Sequence, residues 1–161
     1  MFDAETTALA AAVLAACRTR GWRLATAESC TGGLVAAALT SIAGSSEVFD
    51  RGFVTYSNQA KMELLGVPEA MLAEVGAVSA ETATAMAVSA LTRARVDLAV
   101  SVTGIAGPAG SSAIKPLGLV FLAVATKEGA QSERHVFPGN RNCVRRAAMI
   151  RALELLKAAT G

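Results

Sequence analysis

The segment Trp22-Arg23-Leu24-Ala25-Thr26-Ala27-Glu28-Ser29-Cys30-Thr31-Gly32-Gly33 passes from a short β-like run into a polar, glycine-bearing turn, and Leu34 to Ile42 continues as an apolar helical stretch. A strand handed to a helix through so short a turn is a building unit of α/β folds. It places Ser29 at a sheet edge beside a helix N-terminus, where first-turn N–H groups lack intrahelical partners. Glycines there would let a ligand approach the backbone closely. Such a place suits a bound phosphate, or the oxyanion formed when Ser29 attacks a carbonyl.

Outward from this turn, helix is expected over about Thr6–Thr19, closed by Gly21, and strand over Arg23–Ala27. Gly44-Ser45-Ser46 reads as loop and Gly52 to Tyr56 as an alternating strand. Asn58 caps a short helix around Lys61–Leu65, which Gly66 ends and Pro68 punctuates. Ser79 opens a long helix to about Ala94. Asp97–Thr103 and Leu117–Thr126 are apolar runs of the kind buried in a sheet. Between them, Gly104–Lys115 is a Gly/Pro/Ser loop; Gln131–Phe137 follows as an edge strand and Arg141–Leu156 as a final amphipathic helix. Alternating strands and helices predict a three-layer α/β/α sandwich with a largely parallel or mixed central sheet, in one domain spanning residues 1–161.

The chain has 161 residues, 53% of them hydrophobic and only 17% charged, with alanine abundant. That composition predicts closely packed helices on a sheet and a homodimer or higher homo-oligomer. A formal net charge of +2 with no basic run argues against a nucleic-acid partner. Cys17, Cys30 and Cys143 lack CxxC spacing and read as reduced thiols. The acidic N-terminus does not resemble a signal peptide, and the apolar run Ala8 to Cys17 is too short to span a bilayer, so no membrane association and a cytoplasmic location are expected. No His, Cys and carboxylate cluster has metal spacing, and no cofactor is implied.

Several residues could carry chemistry. Ser29 is either a helix N-cap or a nucleophile, and the following Thr31-Gly32-Gly33 favours the second. Glu28 either orients a neighbour or caps the turn. The single histidine, His135, has no acid patterned around it and reads as a surface residue, so a Ser-His-Asp triad is poorly supported. Lys61 is either a solvated helix lysine or, if desolvated, a base for a serine proton. Thr103 and Gly104 leave the end of a central strand, where ligands of open α/β sheets bind. Arg141 starts the last helix and could meet a phosphate; Arg145, Arg146 and Arg151 read as a solvated face.

Taken together, Ala27 to Gly33, Gly52 to Asn58 with Lys61, Gly76-Ala77-Val78-Ser79, and Gly104 to Pro108 through Lys115-Pro116-Leu117-Gly118 resemble the nicotinamide-nucleotide amidase family, the C-terminal domain of the competence/damage-inducible protein CinA. The resemblance covers about Thr6 to Leu156, and the chain is similar to the stand-alone form of that domain. One stretch departs: the family loop reads Gly-Pro-(Asp or Gly)-Gly-Gly, and here it is Gly107-Pro108-Ala109-Gly110-Ser111. The resemblance implies a nucleotide substrate, nicotinamide mononucleotide, whose carboxamide is hydrolysed to nicotinate mononucleotide and ammonia. It implies Ser29 as nucleophile and Lys61 as base, with Ser46, Tyr56 and Thr103 as polar groups around them. On that footing Cys30, Thr31, Gly32 and Gly33 would wall the reacting carbonyl, with the Thr31 and Gly32 N–H groups facing the oxyanion. Gly104 and Arg141 would meet the rest of the substrate. The rival expectation is a non-catalytic nucleotide-binding domain serving a competence or recombination partner.

Overall fold

The computed structural model describes residues Met1–Gly161. In chain order the elements are α1 (Ala4–Arg20), β1 (Leu24–Glu28), α2 (Leu34–Thr40), a 3-10 turn (Ser45–Glu47), β2 (Phe49–Val54), α3 (Asn58–Leu65), α4 (Glu69–Glu74), α5 (Ala80–Ala94), β3 (Leu98–Gly104), β4 (Leu119–Thr126), β5 (Gly129–Val136) and α6 (Arg141–Ala159). The sheet order is β2-β1-β3-β4-β5. β1 runs parallel to both β2 and β3, whereas β4 and β5 are antiparallel additions. The result is the expected three-layer sandwich with a mixed sheet. No helix is long and apolar enough to cross a membrane.

Strand alternation sorts the core. Leu98, Val100 and Val102 of β3 join the large cluster under α1, α2 and α6, which includes Val13, Leu14, Val35, Leu39, Ala148 and Leu153. The opposite face is lined by smaller side chains: Ala99 meets Met86 and Ala90 of α5, and Ala123 and Ala125 meet Ala83 and Ala87. Alanine on both sides lets α5 lie close to the sheet, which explains the composition. The local stop signals act as the sequence predicts: Gly21 and Gly66 close their helices in left-handed conformation, and the Ser79 side chain accepts from the Thr82 N–H. Three details differ. Ser57, not Asn58, is the N-cap of α3, accepting from the Ala60 N–H. The strand expected from Gly52 begins at Phe49, because pairing with β1 extends it. Helix α4 was not expected, and its six residues pack chiefly through Leu72.

The β1–α2 junction explains its own sequence. Gly32 and Gly33 hold φ of 62° and 99°, left-handed values that side-chain-bearing residues disfavour. Helix α2 has no cap from its own N-cap residue, Gly33. Instead the fully buried Glu28 carboxylate accepts from the N–H groups of Gly33, Val35 and Ala36 at 3.0, 3.1 and 2.9 Å. Of the two readings of Glu28, capping is the one realised.

Removing that carboxylate strands three donors in the interior. Glu28→Ala should lower stability by about 3 kcal/mol, a fall of roughly 6–12 °C in melting temperature for a chain of this length. Glu28→Gln, which keeps one acceptor oxygen, should lie between. Thermal unfolding of the three proteins side by side checks this; an unchanged midpoint in Glu28→Ala would refute the capping role.

Candidate active site

Because β1 and β3 are parallel, with Glu28 opposite Val102, their C-terminal ends share one edge of the sheet. The Ser29 N–H donates to the Val102 carbonyl at 2.9 Å, which puts Ser29 beside Thr103. After β2, the chain turns through Thr55 and Tyr56 into α3 and brings Lys61 back over the same edge. Lys61 is 1% exposed. Its Nζ lies 3.0 Å from Ser29 Oγ, 2.8 Å from the Thr55 carbonyl oxygen and 3.2 Å from that of Tyr56.

Burial penalises the ammonium form and pushes the Lys61 pKa below the ordinary lysine value. Nζ thus has three acceptors within reach, the two carbonyls and Ser29 Oγ; in the neutral amine two N–H groups would serve the carbonyls and leave the lone pair for the serine hydroxyl. The same carbonyls would solvate the cation that a proton transfer from Ser29 produces. Ser29 Oγ, 3.5 Å from the Tyr56 carbonyl, has no other protein partner that competes for its proton. The arrangement is therefore able to make a serine nucleophilic without histidine. His135 sits on the edge strand β5, bonded to Glu133 at 2.9 Å and stacked on Phe137.

A cavity of about 240 Å³ opens in front of the pair, lined by Ser29, Cys30, Tyr56, Lys61, Thr103, Gly104 and Arg141, with Asn58 and the Ile105–Gly107 wall. Thr103 Oγ1 donates to the Ala77 carbonyl at 2.8 Å, leaving its lone pairs as acceptors. Arg141 bridges the mouth, donating to the Gly107 carbonyl at 2.8 Å and to Tyr56 Oη at 2.9 Å. A larger cavity, about 720 Å³, lies elsewhere, beside Trp22, Glu133 and Arg151. No three His, Cys, Asp or Glu side chains come together as a metal-ligand set.

Three expectations need correction. Ser46 is exposed in the 3-10 turn ahead of β2, at the end of the sheet where Leu24 pairs Phe49. Strand β2 therefore separates it from Ser29 by about 20 Å. Gly32 cannot supply an oxyanion donor, since its N–H bonds the Ser29 carbonyl at 3.0 Å, and Gly33 donates to Glu28. The N–H groups of Cys30 and Thr31 remain without protein acceptors. Gly104 lines the cavity, and packing also holds it to glycine: a Cβ there would come within 2.7 Å of Val120 Cγ2 and 2.8 Å of the Leu119 carbonyl oxygen.

The sequence reading also missed Arg145, placed on a solvated face. It reaches from α6 to the Ser29 turn, its Nε 3.1 Å from the Cys30 carbonyl oxygen and Nη2 3.0 Å from that of Thr31. The spacing that could have found it is i,i+4 with Arg141, which puts both guanidinium groups on one helix face. Arg146 and Arg151, by contrast, pair with acids on other faces.

The same architecture recurs among known proteins. A family model described as the CinA C-terminal domain matches residues 6–160. Nicotinamide-nucleotide amidohydrolase PncC of Escherichia coli K12 is 51% identical over 157 residues, covering 97% of this chain and 95% of that protein. A CinA-like protein of Syntrophobacter fumaroxidans is 57% identical over 139 residues, 86% of this chain, but the chain spans only about a third (33%) of that curated relative. The crystal structure of the competence/damage inducible protein CihA from Agrobacterium tumefaciens matches with a TM-score of 0.95 at 48% identity, covering 100% of this chain and 99% of that one.

A base role for Lys61 would carry a pH dependence whose sign follows from the direction of its shift. The folded pKa is below the unfolded value, so the neutral amine and the reactivity of Ser29 appear as pH rises through the lowered value. Between the folded and unfolded values the unfolded chain binds the extra proton, so stability also rises with pH there. Labelling of Ser29 by a fluorophosphonate should accelerate with pH in this way and fall at least about 100-fold in Lys61→Ala and Lys61→Arg. A pH-independent rate, or full reactivity in Lys61→Arg, would refute the base assignment.

Proposed function

The chain belongs to the CinA C-terminal domain family, and from that membership we propose that it hydrolyses the carboxamide of nicotinamide mononucleotide to nicotinate mononucleotide and ammonia, a step of pyridine nucleotide salvage. The observation that carries this reading is the 3.0 Å approach of the buried Lys61 amine to Ser29 Oγ at the wall of a cavity. The relationship to the Escherichia coli amidohydrolase over nearly the whole chain supports the substrate.

Neutral Lys61 takes the Ser29 proton as Oγ attacks the amide carbon. The negative charge that develops on the carbonyl oxygen meets the unpartnered Cys30 N–H beside it, with Thr31 next in line. Collapse of the tetrahedral intermediate breaks the C–N bond, and the Lys61 ammonium returns its proton to the departing ammonia. Water, deprotonated by the same amine, then attacks the ester carbon; the Ser29 alkoxide leaves and is reprotonated, releasing the carboxylate. Thr103 has acceptor capacity for the carboxamide N–H groups. The cavity is smaller than the roughly 300–1,000 Å³ of a drug-sized ligand site, so ribose and phosphate extend to its mouth. There Arg141 supplies the charge for the phosphate, and the exposed Tyr56 ring supplies a flank.

Ser29→Ala removes a hydroxyl that bonds only Lys61 and the Tyr56 carbonyl, and no helix cap depends on it. Ammonia release from nicotinamide mononucleotide should fall at least about 10³-fold. The melting temperature should move by no more than about 3 °C, within the effect of an ordinary local change. Turnover retained in the variant would refute the nucleophile. Binding of the nucleotide by the wild-type protein without turnover would instead favour a nucleotide-binding module serving a partner.

No step draws on a metal, and no residue cluster supplies ligands for one. Activity after exhaustive EDTA treatment should equal that of untreated enzyme. A loss restored by zinc or magnesium would reveal a site assembled in another way.

A further inference from the structure

The two N–H groups left free at the nucleophile turn share one origin. The Cys30 carbonyl and the Thr31 N–H belong to a single planar trans peptide and point in opposite directions. Arg145 Nε donates to that carbonyl at 3.1 Å, so the guanidinium fixes the plane from behind and aims the Thr31 N–H away from itself. The second path is longer by one peptide. Arg145 Nη2 donates to the Thr31 carbonyl at 3.0 Å; the N–H of that peptide, on Gly32, donates to the Ser29 carbonyl at 3.0 Å. The peptide carrying the Ser29 carbonyl ends in the Cys30 N–H. Both free donors therefore terminate hydrogen-bonded peptide chains that start at one cation, and such chains polarise in the direction that strengthens the terminal N–H.

We propose that Arg145 is a positioning residue for the amidase reaction: it never touches substrate, and it orients and polarises the Cys30 and Thr31 N–H groups that receive the oxyanion. This rests on the amide-hydrolysis reading of the site. The effect falls on the transition state, where the negative charge exists, and so on kcat more than on KM. Lysine cannot substitute, because one ammonium does not span two carbonyls in the plane of a guanidinium. The side chain also borders a second cavity, about 270 Å³, on the far side of the turn with Phe2, Leu34, Asn142, Arg146 and Met149. Truncating Arg145 would leave a hole reachable from outside through that cavity.

The test uses Arg145→Ala and Arg145→Lys in the full chain. In both, kcat for ammonia release should fall by about 100-fold, the usual cost of an oxyanion donor, with KM changed less than about threefold. The rise of kcat with pH should stay where it is in the wild type, because Lys61 is untouched. Ethylguanidinium at millimolar concentration should restore part of the rate to Arg145→Ala; ethylammonium should not, and neither should rescue Lys61→Ala. Near-wild-type kcat in Arg145→Lys, or a loss confined to KM, would overturn the proposal; so would a displaced pH profile. If the wild type releases no ammonia, the substrate assignment fails by itself. Fluorophosphonate labelling of Ser29, which also develops negative charge on an oxygen, then decides the role of Arg145: labelling of Arg145→Lys slowed about 100-fold supports it, and equal labelling overturns it.

Discussion

A lysine amine removed from water needs partners that suit the form it adopts, and the active edge of this protein is arranged around that need. Lys61 is buried against two main-chain carbonyls and a serine hydroxyl. No carboxylate is among them to offset the burial that lowers the Lys61 pKa, so the ammonium is disfavoured relative to an ordinary lysine. A carboxylate at the same distance would hold the proton on the lysine and abolish its use as a base. The placement of β2 and α3 follows from this: the strand must end where Thr55 and Tyr56 expose their carbonyls, and the helix must bring its fourth residue back over them.

The serine faces the complementary requirement of immobility. Its turn is secured on opposite sides by groups of opposite charge. Glu28, at the end of β1, gathers three N–H groups of the following helix, and Arg145, from α6, gathers two carbonyls of the turn itself. Donors go to the acid and acceptors to the base, which leaves only the Cys30 and Thr31 N–H groups uncommitted. The left-handed glycines make that path possible; their role is conformational, since their N–H groups are already bonded to the Ser29 carbonyl and to Glu28. Site and scaffold are thus one object: the cap that stabilises α2 also determines which backbone donors remain for chemistry.

Much of the architecture was legible in the residues. The strand–turn–helix around Ser29, the glycine stops at Gly21 and Gly66 and the cap at Ser79 depend on φ preferences and side-chain bonds within a few residues. The continuous apolar run of β3 marked a buried strand, and the shared edge of Ser29 and Thr103 followed once the strands were parallel. Composition foretold the alanine packing of α5. Helix α4 was not legible, because six residues with one buried leucine carry no measurable period. Ser46 entered through family resemblance, and the direction of β2 puts it at the opposite end of the sheet.

By itself, then, the sequence determined the local conformations and the chemical vocabulary: a serine in a glycine turn, a lysine after a strand, arginines on the last helix. Tertiary structure decided which of these meet. Ser29 and Lys61 are 32 residues apart, and Cys30 and Arg145 are 115 apart. Whether a lysine is a solvated cation or a neutral base depends on desolvation, which exists only after the layers close. Whether a backbone N–H is free depends on every acceptor that folding brings within 3 Å. Those are properties of packing, and short-range sequence patterns do not encode them.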